Sequence, residues 1–235
     1  MNIENQVQFY DDYWSKNKPL NSLKLRRATK ILEYFTHVKR KINKPEIIDL
    51  GCGDGRLAAF IGQFGKTDAI ELSKAAVEHA KILHPHVNFF QGNVLEYPFK
   101  ESNYDVVISQ EVIEHIEDQE DYVNVCSKVL KKNGYLILTT PNKKAFNHIK
   151  GGSWSKQPIE NILLPRELKS LILKEFKIIK FESIIVNFGK MGYFKIVNNR
   201  YVIFICRILG LKNQREYALG KFNFGIHLCV FAQKR

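Results

Sequence analysis

The sequence predicts an α/β protein built on a doubly wound, mostly parallel sheet. Two observations carry this. Five strand-like segments recur at 47–50, 68–72, 87–90, 105–108 and 135–139, four of them short apolar runs. Helix-like stretches separate them, so each strand can be followed by a crossover that returns it parallel to the last.

Each element has its own signal. Leu23, Ile31, Leu32, Phe35 and Val38 stand at helical spacing among Lys and Arg, which predicts an amphipathic helix within 20–40. Pro45 precedes the first strand, which ends at glycines. A helix is expected over 56–64. Ser73 is placed to cap the next helix, which Pro85 stops after His84. The fourth strand leads into a helical stretch running to Leu130, with Asn133 and Gly134 as its stop. After residue 141 the pattern changes. A loop holding Gly151, Gly152 and Trp154 precedes a helix over 165–175, a sixth strand over 176–185 and a seventh over 226–232. The last two strands lack βαβ spacing, and a basic, aromatic insertion at about 187–224 lies between them.

The chain has 235 residues, 45% of them hydrophobic and 26% charged, which excludes bulk disorder and predicts one domain with its own core. Cys52, Cys126, Cys206 and Cys229 form no C-x-x-C pair, and are expected to be reduced thiols, mostly buried. The first residues lack the basic and apolar regions of a signal peptide, and no apolar run reaches membrane-spanning length. The expected location is cytoplasmic. Charge is uneven. Residues 1–120 hold 15 Lys/Arg and 18 Asp/Glu, a net of −3, whereas 121–235 hold 21 and 6, a net of +15. The basic half suits an anionic small molecule, membrane or nucleic acid, or it simply solubilises the surface.

The strongest chemical signal is Asp49-Leu50-Gly51-Cys52-Gly53-Asp54-Gly55-Arg56. Gly51, Gly53 and Gly55 permit positive φ and close backbone approach where the first strand turns into its helix. Glu71, 22 residues after Asp49, ends the second strand, where a carboxylate can accept from ribose hydroxyls. Arg56 stands where a nicotinamide fingerprint needs its last glycine, and no G-K-[ST] follows.

This combination resembles the class I S-adenosylmethionine-dependent methyltransferases. Phe90-Gln91-Gly92-Asn93-Val94, Tyr104-Asp105-Val106-Val107-Ile108 and the segment 130–142 are similar to further motifs of that superfamily, in order. Glu111-Val112-Ile113-Glu114-His115 and Thr140-Pro141-Asn142 are most similar to the type 11 branch that includes the ubiquinone-biosynthesis O-methyltransferases. The resemblance implies a Rossmann-like seven-stranded sheet with helices on both faces and the last strand antiparallel. It also implies one domain over 1–235, with a lid within 1–40 and a substrate cap at about 187–224. It implies S-adenosylmethionine as cofactor, with Asp49, Gly51 and Gly53 at its methionine end, Glu71 at the ribose, and Cys52, Gly55 and Leu72 also among the cofactor-binding residues. Asn93 and Val94 would meet the adenine, and Gln110 would lie beside the methyl donor. Asn93 replaces the family's usual Asp, so weaker adenine recognition is expected. Phe9, Tyr10, Tyr13 and Trp14 resemble an aromatic lid segment; a docked hydrophobic arm is the other reading.

Glu111, Glu114 and His115 are the candidate catalytic residues. On a helix they would share one face. They then hold a divalent metal at the substrate mouth, or supply His115 as a general base, or fix the loop. Small-RNA 2′-O-methyltransferases with a similar cluster add a downstream His. Here the stretch before Pro165-Arg166-Glu167-Leu168 offers Glu160 and Asn161 but no His, and His148 substitutes only if its loop folds back, so no metal is expected. The absence of [DNS]-P-P-[YFW] after the fourth strand argues against base N-methylation. The expected activity is O-methylation of a small or lipid-linked acceptor. An RNA 2′-O-methyltransferase and a non-catalytic cofactor-binding module remain as alternatives. For the insertion, the expected structure is a helical cap with its apolar side on the sheet; peripheral membrane contact and stacking on nucleic acid are the other readings.

Overall fold

A computed structural model describes residues 3–15, 21–147, 158–187 and 193–235. Gly151, Gly152, Trp154, His148 and Phe188 lie outside the described residues. Seven strands form one sheet: β1 Glu46–Leu50, β2 Lys66–Glu71, β3 Asn88–Gln91, β4 Tyr104–Gln110, β5 Leu130–Pro141, β6 Phe176–Ile184 and β7 His227–Lys234. Their order is β3-β2-β1-β4-β5-β7-β6. Neighbours pair in parallel except β7, which runs against both β5 and β6. The helices are α1 Ile3–Ser15, α2 Ser22–Lys39, α3 Arg56–Ile61, α4 Lys74–Leu83, α5 Gln119–Val129, α6 Lys143–Phe146, α7 Pro165–Glu175, α8 Tyr193–Val197, α9 Arg200–Ile208 and α10 Lys212–Lys221.

The period of two along each strand divides the core. Ile47, Val106, Ile108 and Ile137 pack on one face with Ile31, Tyr34, Phe35 and Val38 of α2. Their neighbours Ile48, Val107, Leu136 and Leu138 pack on the other with Tyr122, Val123 and Cys126 of α5 and Leu168 and Ile172 of α7. The four α2 residues are spaced i, i+3, i+4 and i+7, so one stripe of the helix is fully covered. Each such side chain contributes about 1.5–3 kcal/mol through burial.

The predicted caps hold: Ser73 Oγ accepts from Ala76 N at 3.1 Å, and Pro165 opens α7. Three local expectations change. The helix after β1 ends at Ile61, three residues short of Phe64. α5 ends at Val129, before Asn133, whose φ of 63° instead marks a turn within β5. No continuous helix follows β4; a short 3-10 turn, Ile113–His115, comes first and α5 begins at Gln119. Strand pairing persists past the apolar run, with Glu111 N donating to Thr139 O at 2.9 Å, and a left-handed Glu111 (φ 59°) then diverts the chain.

The order of strands reverses between β1 and β4. In open α/β sheets the ligand crevice lies outside the carboxyl ends at such a point. Asp49 to Gly55 follow β1 there, and Gln110 to His115 follow β4.

Candidate active site

Gly51, Gly53 and Gly55 take φ of +74°, +55° and +74°. Glu71 fixes their loop to β2: its Oε2 accepts from Gly53 N at 3.0 Å and its Oε1 from Ser73 N at 3.1 Å. Burial raises the Glu71 pKa, partly offset by these donors. Each carboxylate oxygen keeps a lone pair for a ligand hydroxyl. Glu71 thus serves the loop's shape as well as the expected ribose contact.

Asp49 is buried, and its Oδ1 has no hydrogen-bond partner among the described residues. Burial, then the nearby Glu71 and Asp54, pushes its pKa up to about 7. A buried carboxylate without a donor is costly unless a ligand supplies one. Cys52 is also raised by burial and by Asp49 and Glu71, so it stays a thiol. Just after β3, Asn93 Oδ1 accepts from Leu95 N at 3.1 Å, which orients its amide, and Val94 beside it is buried.

Helix α1 covers this crevice. Asp11 Oδ1 accepts from Ser73 Oγ at 2.5 Å and Ala75 N at 3.1 Å, tying α1 to the start of α4. Trp14 lies on Gly53, where an added Cβ would come within 2.4 Å of its ring. Tyr10 packs edge-on against His115, ring centroids 6.4 Å apart. Its pKa is raised by burial and then by Glu71 and Glu114, which places its hydroxyl within reach of both carboxyls' fields. The sequence flagged these aromatics. It gave no signal for Asp11 as the tether.

The Glu111–Glu114–His115 cluster does not share a helix face. Thr139 and Thr140 are consecutive in β5 and point to opposite sides of the sheet. Thr139 Oγ1 donates to Glu111 Oε1 at 3.0 Å, and Thr140 Oγ1 donates to Glu114 Oε2 at 2.9 Å. The two carboxylates are therefore drawn to opposite sides. Glu111 Oε2 lies 2.8 Å from His227 Nδ1 and 3.4 Å from Arg27. Burial opposes its charge, but His227 and Arg27 outweigh that and lower its pKa to about 2. Glu114 is buried with no cation paired as closely; burial, then Glu111, raises its pKa well above the usual carboxylate range. Among the described residues, no group of three or more His, Cys, Asp or Glu is arranged to hold a metal.

His115 is held differently. Its Nδ1 sits 2.8 Å from the Ile159 carbonyl. A carbonyl only accepts, so the proton is on Nδ1 and the lone pair on Nε2, 3.7 Å from Glu114 Oε1. Burial lowers its pKa, against the Ile159 bond and the acidic neighbours, so the imidazole is neutral at physiological pH. Arg27, His227, Thr139 and Thr140 were not legible as site residues, because they come from α2, β7 and β5 and meet only through the sheet.

Comparison with known proteins places this crevice in a class. Residues 48–138 match a family described as a methyltransferase domain. That segment is similar to methyltransferase domains, and the relatives it matches are named as S-adenosylmethionine-dependent methyltransferases and ubiquinone biosynthesis O-methyltransferases. A Mycobacterium tuberculosis protein named as a probable S-adenosylmethionine-dependent methyltransferase is 34% identical over 103 residues, 43% of this chain and 38% of that protein. The ubiquinone biosynthesis O-methyltransferase of Rickettsia felis is 32% identical over 154 residues, 61% of this chain and 63% of that protein. The chain thus spans less than two thirds of the length of these relatives. Among solved structures, the N-methyltransferase NodS of Bradyrhizobium japonicum, in complex with S-adenosyl-L-homocysteine, superposes with a TM-score of 0.65 over 98% of both chains at 11% identity. The [4+2]-cyclase SpnF superposes at 0.64 over 99% of this chain and 94% of that one, at 16% identity. Those two share the fold and carry different reactions, so the acceptor chemistry must come from the site.

The crevice fits S-adenosylmethionine by its own chemistry. The unpartnered Asp49 Oδ1 suits an ammonium, and Glu71 retains lone pairs for hydroxyls.

Proposed function

We propose that the chain transfers a methyl group from S-adenosylmethionine to a hydroxyl oxygen of a small or lipid-linked acceptor. When bound, the cofactor supplies an activated methyl on sulfonium, so the protein needs chiefly to align the acceptor and exclude water. Asp49 and the Gly51–Gly55 loop hold the methionine end and Glu71 the ribose. Val94 and Asn93 border the adenine. Gln110 lies at the end of β4 beside the methyl donor. Helix α1 covers the crevice through Tyr10 and Trp14, which favours a lid over a simple docked arm.

The observation that carries the O-methyl reading is His115. Neutral, and with its proton fixed on Nδ1 by Ile159, it presents the Nε2 lone pair to an acceptor hydroxyl as a general base. Glu114 stands next to it with its pKa raised by burial and by Glu111. Glu111, tied to Arg27, His227 and Thr139, anchors the turn that presents His115. The ubiquinone O-methyltransferase relatives support a hydroxyl acceptor.

Incubating the purified chain with methyl-labelled cofactor and fractionated cell extract tests this. Label entering the lipid or polar-metabolite fraction, as an alkali-stable ether, supports it. Label in RNA moves the activity to 2′-O-methylation. Cofactor binding with no label in any fraction leaves a non-catalytic module.

A further inference from the structure

Within the insertion between β6 and β7, Phe194 of α8 is buried against Ala145, Ile185 and Ile226, whereas α9 does not turn its apolar side to the sheet. In α9, Ile203 and Cys206 line a small hollow with Lys212, Arg215 and Glu216 of α10, and none of its residues is buried. Tyr201, Val202, Phe204, Ile205, Ile208 and Leu209 all lie exposed, Phe204 at 59% and Ile208 at 67%. At 100° per residue these six cover an arc of about 160° on the side opposite Ile203 and Cys206. Six large apolar side chains on one helix face exceed the scattered exposure usual for a soluble surface.

Basic residues surround that face. Residues 193–221 contain Lys195, Arg200, Arg207, Lys212, Arg215 and Lys221 against Glu216 alone, a net of +5. Arg215 is engaged with Asn187 Oδ1 at 2.9 Å and Asn198 Oδ1 at 3.0 Å. Arg207 and Lys212 border a small hollow with Ile203, Cys206 and Glu216. Among the described residues, no helix is long and apolar enough to cross a membrane.

We propose that α9 and its basic flanks form a docking surface for an anionic lipid bilayer. The apolar arc enters the boundary between headgroups and acyl chains, while the cations meet lipid phosphates. Charge decides between occupants. A second copy would set +5 against +5. Nucleic acid would satisfy the cations and leave Val202, Ile205, Ile208 and Leu209 in water. The position also suits this role. The insertion leaves after Ile184 and returns at His227, both paired at the end of the sheet where β5 closes with Pro141. That is the rim bearing the active-site crevice, so a lipid-linked acceptor is offered to the site from the membrane. The inference deepens the acceptor reading and rests on it for its purpose, while its geometry stands on α9 alone.

The test is flotation of the full chain with vesicles of phosphatidylcholine alone and of equal parts phosphatidylcholine and phosphatidylglycerol. Binding to the mixed vesicles only, weakened by salt and reduced at least tenfold in F204E/I208E and in R200E/R207E, supports the proposal. No binding to mixed vesicles overturns it, and so does equal binding by F204E/I208E. Light scattering that shows a wild-type dimer dissolved by F204E/I208E assigns the face to a second copy and also overturns it. Cofactor titration of the same variants, expected unchanged, distinguishes loss of this surface from failure of the methyltransferase reading.

Discussion

The crevice at the ends of β1 and β4 and the surface of α9 handle the same problem in opposite ways. In the crevice, charged groups are buried and most are answered from within: Glu71 by two backbone N–H groups, Glu111 by Arg27 and His227. Asp49 is the exception. On α9, apolar side chains are exposed and nothing among the described residues answers them. A buried carboxylate oxygen without a donor and an apolar arc without a cover are both incomplete. The first calls for a small cationic ligand, the second for an extended apolar surface. Substitutions in the crevice should therefore change cofactor binding and rate, whereas those on α9 should leave cofactor binding and stability intact.

The largest effect is expected at the glycine loop. Gly53→Val places a branched side chain where Trp14 already lies and forces it into positive φ, a conformation costing an ordinary residue about 1–2 kcal/mol. Calorimetry should detect no cofactor binding while circular dichroism stays native. Gly53→Ala in a Trp14→Ala background sharpens this. Partial recovery relative to Gly53→Ala alone would locate the clash in the lid; no recovery would locate it in the backbone.

Next comes His115→Ala, expected to lower turnover by about 10²–10⁴ with cofactor affinity unchanged. Because burial lowers the His115 pKa, the base form is present at neutral pH and is lost as pH falls through that lowered value. Wild-type rate should fall on the acid side, and the variant should lose that limb for an acceptor that ionises unaided. A melting temperature that falls while folded-protein turnover holds would make His115 structural.

Glu71→Ala should weaken cofactor binding by about 1.5–3 kcal/mol, the scale of charged hydrogen bonds. It should also lower the melting temperature, because Gly53 N and Ser73 N lose their acceptor. Glu71→Gln keeps one acceptor and should fall between. Unchanged affinity in both would remove Glu71 from the ribose.

The smallest effect is on α9. F204E/I208E removes exposed side chains that bury nothing, so its melting temperature and cofactor affinity should match the wild type. A marked loss of stability would mean that α9 packs on the body after all.

The cofactor half of this architecture was legible because its constraints are local. Gly51, Gly53 and Gly55 follow a strand directly, Glu71 ends the next, and Ser73 caps the helix beside it. The Glu111–Glu114–His115 cluster was legible in composition and misread in geometry. Helical spacing suggested one shared face, but the left-handed Glu111 and the alternation of Thr139 and Thr140 send the carboxylates to opposite sides. The partners that decide their charges, Arg27 and His227, are about 200 residues apart and meet only through the strand order. The apolar period of α9 was equally plain, but a period does not state which way the stripe faces. That depends on whether the body has room for it, and α2, α5 and α7 already cover the sheet.

The most direct measurement is calorimetric titration of the chain with S-adenosyl-L-homocysteine and with NAD, across pH 6 to 8, in wild type and Asp49→Asn. Asp49 carries a proton in the free protein below about 7 and must lose it to receive the ligand's ammonium. The sulfur nucleoside should bind one to one and NAD not at all. Affinity should weaken as pH falls below about 7, approaching tenfold per unit. Asp49→Asn should bind weakly without that slope. Binding of NAD, or of neither ligand, contradicts the account, and a pH slope that survives in Asp49→Asn removes Asp49 from the cofactor.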